Sequence, residues 1–160
     1  MWIDTHAHLN DERFDADLPG VLQRAAAAGV EAVLVIGVDR RSSERALELA
    51  TIHPALYAVV GIQPNSLHEL QAGDWEAVLE QVRHPRVRGI GETGLDRYWK
   101  TVPIELQSEW FDRHLELADR LNKPVVIHCR EAEADVVDAL KRFSDRTGRP
   151  VHGVMHSFTG

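Results

Sequence analysis

The sequence predicts an α/β protein built as a TIM-like (β/α)8 barrel, with about six βα units present. Three observations lead there. Apolar, strand-like runs alternate regularly with helical runs, which implies a parallel sheet. Some strand runs are nearly continuous in β-branched residues, the pattern of strands covered on both faces. Residues of metal-ligating type recur at the C-terminal ends of these runs, where barrels of this architecture carry their chemistry. The alternation alone leaves an open doubly wound sheet in competition, and the placement of the polar residues favours the barrel. A complete barrel takes about 250 residues, and this chain has 160. The expectation is one incomplete barrel domain over 1–160, ending one loop after its sixth strand.

The elements follow in order. Residues 1–8 form a short apolar run ending in polar residues. Residues 18–28 read as a helix, with Pro19 in the first turn and Gly29 as the stop. Residues 31–38 (EAVLVIGV) are the second strand, and 42–52 a helix capped by Ser42 or Ser43. The third strand is 56–62 (LYAVVGI), followed by a helix over 74–82 that Asp74 can cap. A short fourth strand, 87–90, leads into Gly91 and Glu92. The helix over 103–121 places apolar residues at Ile104, Leu106, Trp110, Leu115 and Leu117. The fifth strand is 124–128 (PVVIH), the next helix 132–143, and the sixth strand 151–156, followed by Phe158 and Gly160.

Composition narrows the class. Hydrophobic residues make up 44% and charged residues 27%, the range of folded globular domains. No run approaches the roughly 20 apolar residues of a membrane helix. The opening MWIDTHAHLNDERF has neither the basic nor the apolar region of a secretory signal. Cys129 is the single cysteine, so no internal disulfide forms and a reducing, cytoplasmic compartment is expected. The net charge of −7 disfavours a basic sheath around nucleic acid. It leaves room for a local nucleic-acid site at which cations supply the positive charge.

Nine histidines are present, and their positions separate them. His53, His68, His84 and His114 lie in polar or helical surroundings and read as surface or satisfied core residues. His6, His8, His128 and His156 end strand runs. His6 and His8 form an H-x-H, and strand alternation turns residues i and i+2 to one face. Two imidazoles can then converge on one cation. Asp4 shares that face. Glu92, in GIGETGLD, follows the fourth strand at the same end of the sheet, and a carboxylate can bridge two cations. Gly89, Gly91 and Gly94 let the backbone there approach a ligand. His128 ends the fifth strand, and Arg130 beyond it can clamp a phosphate or carboxylate. Cys129 reads as a packed thiol. His156 ends the sixth strand, while His152 lies near its start and reads as structural. Together these positions predict a metal centre at the top of a barrel.

At this point the motifs IDTHAHL, GETGLD, PVVIHCRE and HSFTG, in that order, resemble the TatD-like metal-dependent hydrolases. That resemblance implies a barrel of the metal-dependent hydrolase type and deoxyribonuclease activity. It implies two divalent metal ions (Mg, Mn or Zn), with His6 and His8 as the first metal-binding pair. Glu92 then corresponds to the shared ligand, and His128 and His156 to the ligands of the second metal. The family's further aspartate comes from a later strand, beyond residue 160. Gln63, in GIQPN, stands where family members commonly have a histidine facing the substrate; it can hydrogen-bond but cannot titrate. Arg130 and Gln63 are the expected substrate-binding residues.

The reaction expected is metal-assisted hydrolysis, with DNA as substrate, no membrane and no protein partner. The resemblance points to DNA; the spacing supports only a hydrolytic metal site. Trp99, beside Tyr98, is a candidate stacking residue or a packed loop aromatic. Two alternatives stand: a small-molecule amidohydrolase or esterase on the same barrel, and a fragment that binds metal without turnover.

Overall fold

The computed structural model describes residues 1–157; Phe158 and Gly160 of the last motif lie outside them. Six strands form one sheet in chain order: β1 (Trp2–Ala7), β2 (Val30–Ile36), β3 (Leu56–Val60), β4 (Val87–Asp96), β5 (Val125–Arg130) and β6 (Gly153–Met155). Every neighbouring pair runs parallel. Helices α1 (Leu18–Ala27), α2 (Arg40–Ile52), α3 (Asp74–Gln81), α4 (Ile104–Leu121) and α5 (Glu133–Thr147) lie between the strands.

The sheet curls. In a flat six-stranded sheet the edges β1 and β6 would stand roughly 24 Å apart, at about 4.8 Å per strand. Instead the His6 and His156 rings, at the C-terminal ends of β1 and β6, stack with centroids 3.9 Å apart and planes 17° apart. The result is a nearly closed TIM-like barrel.

Alternation along the strands divides the apolar residues into two clusters. Val33 and Val35 of β2, Leu56, Ala58 and Val60 of β3, and Val125 and Ile127 of β5 pack with the helices in the main core. The alternate positions Ile36, Val59 and Val126 form a small second cluster. Strand period places His128 on the same side of β5 as Val126. The polar site therefore sits on the inner face, one step beyond an apolar floor.

Local details differ from the sequence expectations. The cap of α2 is Asp39, not Ser42 or Ser43: its carboxylate accepts from the Ser42 backbone N–H at 2.7 Å, and the Ser42 hydroxyl reciprocates toward the Asp39 N–H. Asp74 is the first residue of α3 rather than its cap; Gly73, at φ 92°, occupies that position. On α4, Leu106 is exposed and Gln107 is buried. Buried positions 107, 110, 111, 114, 115 and 118 follow the helical period. The Gln107 amide accepts from Asp96 N–H at 2.8 Å and donates to the Asp96 and Val102 carbonyls at 3.0 and 2.9 Å. It thereby pins the end of β4. No helix among the described residues is long and apolar enough to cross a membrane.

Candidate metal centre

β4 runs from Val87 to Asp96, so Glu92 lies within a strand rather than in the loop after it. The Gly91–Glu92 peptide is cis. The glycines of this strand admit its neighbour β5, not a ligand. A Cβ at Gly94, where φ is 135°, would stand 2.0 Å from the His128 carbonyl oxygen. One at Gly91, where φ is 139°, would stand 2.5 Å from the Val126 oxygen. Only glycine permits this approach, which brings His128 beside Glu92.

The Glu92 side chain is 4% exposed and meets histidines on both oxygens. Oε2 lies 3.4 Å from His6 Nε2 and 3.9 Å from His8 Nε2. Oε1 lies 2.9 Å from His128 Nδ1 and 2.9 Å from His156 Nε2. Burial alone would raise this carboxyl. Hydrogen bonds with His128, His156 and His6 outweigh burial and hold it far below the usual carboxylate range.

The histidines are oriented from behind. His8 Nδ1 lies 3.2 Å from the Ile36 carbonyl oxygen, which commits its proton there and leaves Nε2 a lone pair. His6 Nε2 and His8 Nε2 converge to 3.2 Å. The Asp4 carboxylate, on the same strand, accepts from the His6 backbone N–H at 2.9 Å. His128 Nε2 lies 2.8 Å from Asp96 Oδ2. Burial would lower the His128 pKa, but the carboxylates of Glu92 and Asp96 raise it.

Two groups of atoms that could hold a metal ion result: His6, His8 and Glu92, and Glu92, His128 and His156. Within each, the atoms lie within 4.8 Å of one another. Imidazole nitrogen with one carboxylate is the donor chemistry of zinc, manganese and related divalent cations. The residues present thus fit metal ions on the side-chain chemistry alone.

The other residues singled out from the sequence have separate surroundings. Arg130 ends β5, two residues beyond His128. No ion pair engages it among the described residues; its guanidinium lies over the Tyr98 ring, 3.7 Å from the centroid. The Gln63 side-chain oxygen accepts from Asn65 N–H at 2.7 Å and starts the 3-10 turn Pro64–Glu69. Its acceptor is engaged within its own loop. Trp99 is exposed rather than packed. Burial, then Glu133, pushes the Cys129 thiol up, as in a packed rather than an activated thiol.

Sequence reasoning passed over Asp96, the last residue of GETGLD. Its side chain is buried. It accepts from Asn65 Nδ2 at 2.8 Å and from the Trp99 backbone N–H at 2.9 Å, and faces His128. Its distance from Glu92, four residues on the same strand, was the available signal: an even offset returns a side chain to one face. Burial would raise the Asp96 carboxyl, and the bonds from Asn65, Trp99 and His128 lower it.

A TIM-like barrel with imidazole and carboxylate groups gathered at the C-terminal ends of its strands has the architecture of the metal-dependent hydrolases. Residues 3–160 match the family described as TatD related DNase, and the chain belongs to that family. It is 40% identical, over 160 residues, to the uncharacterized metal-dependent hydrolase YabD of Bacillus subtilis, covering 100% of this chain and 62% of the relative. It is 32% identical over 157 residues to the 3′-5′ ssDNA/RNA exonuclease TatD of Escherichia coli, covering 98% of this chain and 59% of that protein. The crystal structure of the TatD homologue YjjV from Escherichia coli superposes with a TM-score of 0.90 at 33% identity, covering 99% of this chain and 61% of that one. The chain thus spans about three-fifths of the length of these relatives.

Proposed function

We propose that the chain serves a two-metal hydrolase that cleaves phosphodiester bonds in nucleic acid, DNA above all, with magnesium, manganese or zinc as the cation. One observation carries the reading: the two oxygens of buried Glu92 face two different histidine pairs. The name of the relative TatD supports the substrate class.

In this reading His6, His8 and Glu92 hold one cation, and Glu92, His128 and His156 the other. Bound divalent cations supply Lewis acidity and lower the pKa of water toward neutrality. The protein's share is preorganisation. Ile36 and Asp96 fix which nitrogen of His8 and His128 carries a proton. The apolar floor of Ile36, Val59 and Val126 closes the site from below. Arg130 offsets phosphate charge, and the Gln63 amide offers a neutral hydrogen bond where a titrating group would otherwise exchange protons. The local charge of cations and Arg130 reconciles a net charge of −7 with a polyanionic substrate. The lone thiol of Cys129 suits the cytoplasm.

The test is elemental analysis of chain purified without chelator, paired with cleavage of a single-stranded oligonucleotide in magnesium, manganese or zinc. The reading expects bound metal and metal-dependent cleavage, both lost in Glu92→Ala and in the double variant His6→Ala/His128→Ala. A folded chain without metal, or cleavage that survives Glu92→Ala, overturns it.

A further inference from the structure

Beside the candidate metal centre, the segment after β4 exposes two aromatic rings. Tyr98 is 45% and Trp99 51% accessible. The rings meet edge to face, with centroids 4.9 Å apart and planes at 88°. Arg130 joins them from β5. Its guanidinium carbon lies 3.7 Å from the Tyr98 centroid and 5.7 Å from that of Trp99. Arg97, by contrast, is held by Asp135. Among the described residues no carboxylate neutralises Arg130, so its charge and its donors remain available.

This group is tied to the metal centre by short bonds. The Trp99 N–H donates to Asp96 Oδ1 at 2.9 Å, and Asp96 Oδ2 faces His128 at 2.8 Å. In register, Gly94 pairs with His128 and Asp96 with Arg130. Arg130 and His128 therefore lie on one side of β5, about 7 Å apart along the strand. An exposed indole, a cation stacked beside it and a cluster of metal-ligating side chains thus follow one another along one rim.

We propose that Trp99, supported by Tyr98 and Arg130, is a nucleobase-stacking platform for single-stranded nucleic acid, with Arg130 holding the phosphate beside the stacked base. This inference rests on the phosphodiesterase reading above. Every base has a π-face, so an indole accepts any of the four, and an aromatic face alone contributes substantially per base. Arg130, already stacked on Tyr98, is pre-oriented and loses little freedom on meeting a phosphate. The platform selects strands whose bases are unpaired, because a base within a duplex keeps its faces covered by its neighbours.

The test is binding of a short phosphorothioate-linked oligodeoxythymidylate, which resists cleavage, against the same backbone made abasic throughout. The expected result is a preference for the base-bearing strand of about tenfold or more. Trp99→Ala abolishes that preference and Trp99→Phe keeps most of it. Arg130→Ala weakens both strands and lowers the slope of log affinity against log salt by about 0.7. Equal binding of the two strands by the parent, or an undiminished preference in Trp99→Ala, overturns the platform. The parent chain's metal-dependent hydrolysis of bis(p-nitrophenyl) phosphate, which has no nucleobase, separates the two failures. Hydrolysis without a base preference rejects the platform alone. Absence of hydrolysis and of bound metal rejects the phosphodiesterase reading with it.

Discussion

His128 stands between two carboxylates: its Nε2 lies 2.8 Å from Asp96 Oδ2 and its Nδ1 2.9 Å from Glu92 Oε1. Carboxylate acceptors at both nitrogens fix the ring's orientation and favour a proton on each of them. Asp96 is itself fixed by Asn65 and by the Trp99 backbone, so one buried side chain links the site to the loop that carries the exposed aromatics.

Asp96→Asn is therefore expected to weaken metal binding roughly 10- to 100-fold, the usual effect of removing a carboxylate behind a metal-binding histidine. Metal titration with a competing chelator measures it. Affinity equal to the parent's would show that Asp96 does not orient His128.

Glu92→Gln retains shape and removes charge. The expected outcome is loss of stoichiometric metal and a fall in hydrolysis of at least about 100-fold, since the amide offers one oxygen where two are used. Elemental analysis and the rate on a single-stranded oligonucleotide report the two effects.

Stability should depend on pH through His114. This ring is fully buried; its Nε2 accepts from Ile62 N–H at 3.0 Å and its Nδ1 donates to the Trp110 carbonyl at 2.6 Å. Burial pushes its pKa down to about 4 from 6.5. Between those values the unfolded chain binds a proton that the folded chain refuses. The stabilisation is complete above pH 6.5 and is lost as pH falls toward 4, by about 3 kcal/mol at most. Urea unfolding at a series of pH values should show this decline. In His114→Gln, less stable at pH 7, the decline should be correspondingly smaller.

Gly94→Ala should destabilise the fold by about 3 kcal/mol, because the new Cβ meets the His128 carbonyl at 2.0 Å in a left-handed backbone. Gly73→Ala isolates the backbone part: φ is 92° and nothing lies within 4 Å. Its cost should be only about 1–2 kcal/mol. Denaturant midpoints of the two variants compare them directly.

Much of the architecture was legible in the chain. The apolar runs around 32–36, 56–60 and 125–127 have no polar break, so they form strands covered by helices. The His6/His8 pair is legible because a two-residue period needs no knowledge of the rest of the fold. Cap residues were harder to place: Asp39 and Ser42 both suit the role, and only the backbone at Asp39 decides between them. The buried positions of α4 include Gln107 and His114. They are buried because the end of β4 and Ile62, just beyond β3, present backbone groups that their side chains satisfy. Leu106 is apolar yet exposed, because the buried stripe of α4 passes through 107 and 110.

Periodicity and side-chain chemistry are local, so the chain's own pattern carries the alternation of strand and helix, the face shared by His6 and His8, and the kinds of donor at the strand ends. That the sheet curls until His6 meets His156 is visible only in the folded chain. Only there does Glu92 turn one oxygen to each histidine pair, and Asp96 lie behind His128 while bonding to Trp99. Apart from the local bond between Asp96 and Trp99, those relations join residues 32 to 150 positions apart, and a strand's pattern carries no record of its neighbour's distance.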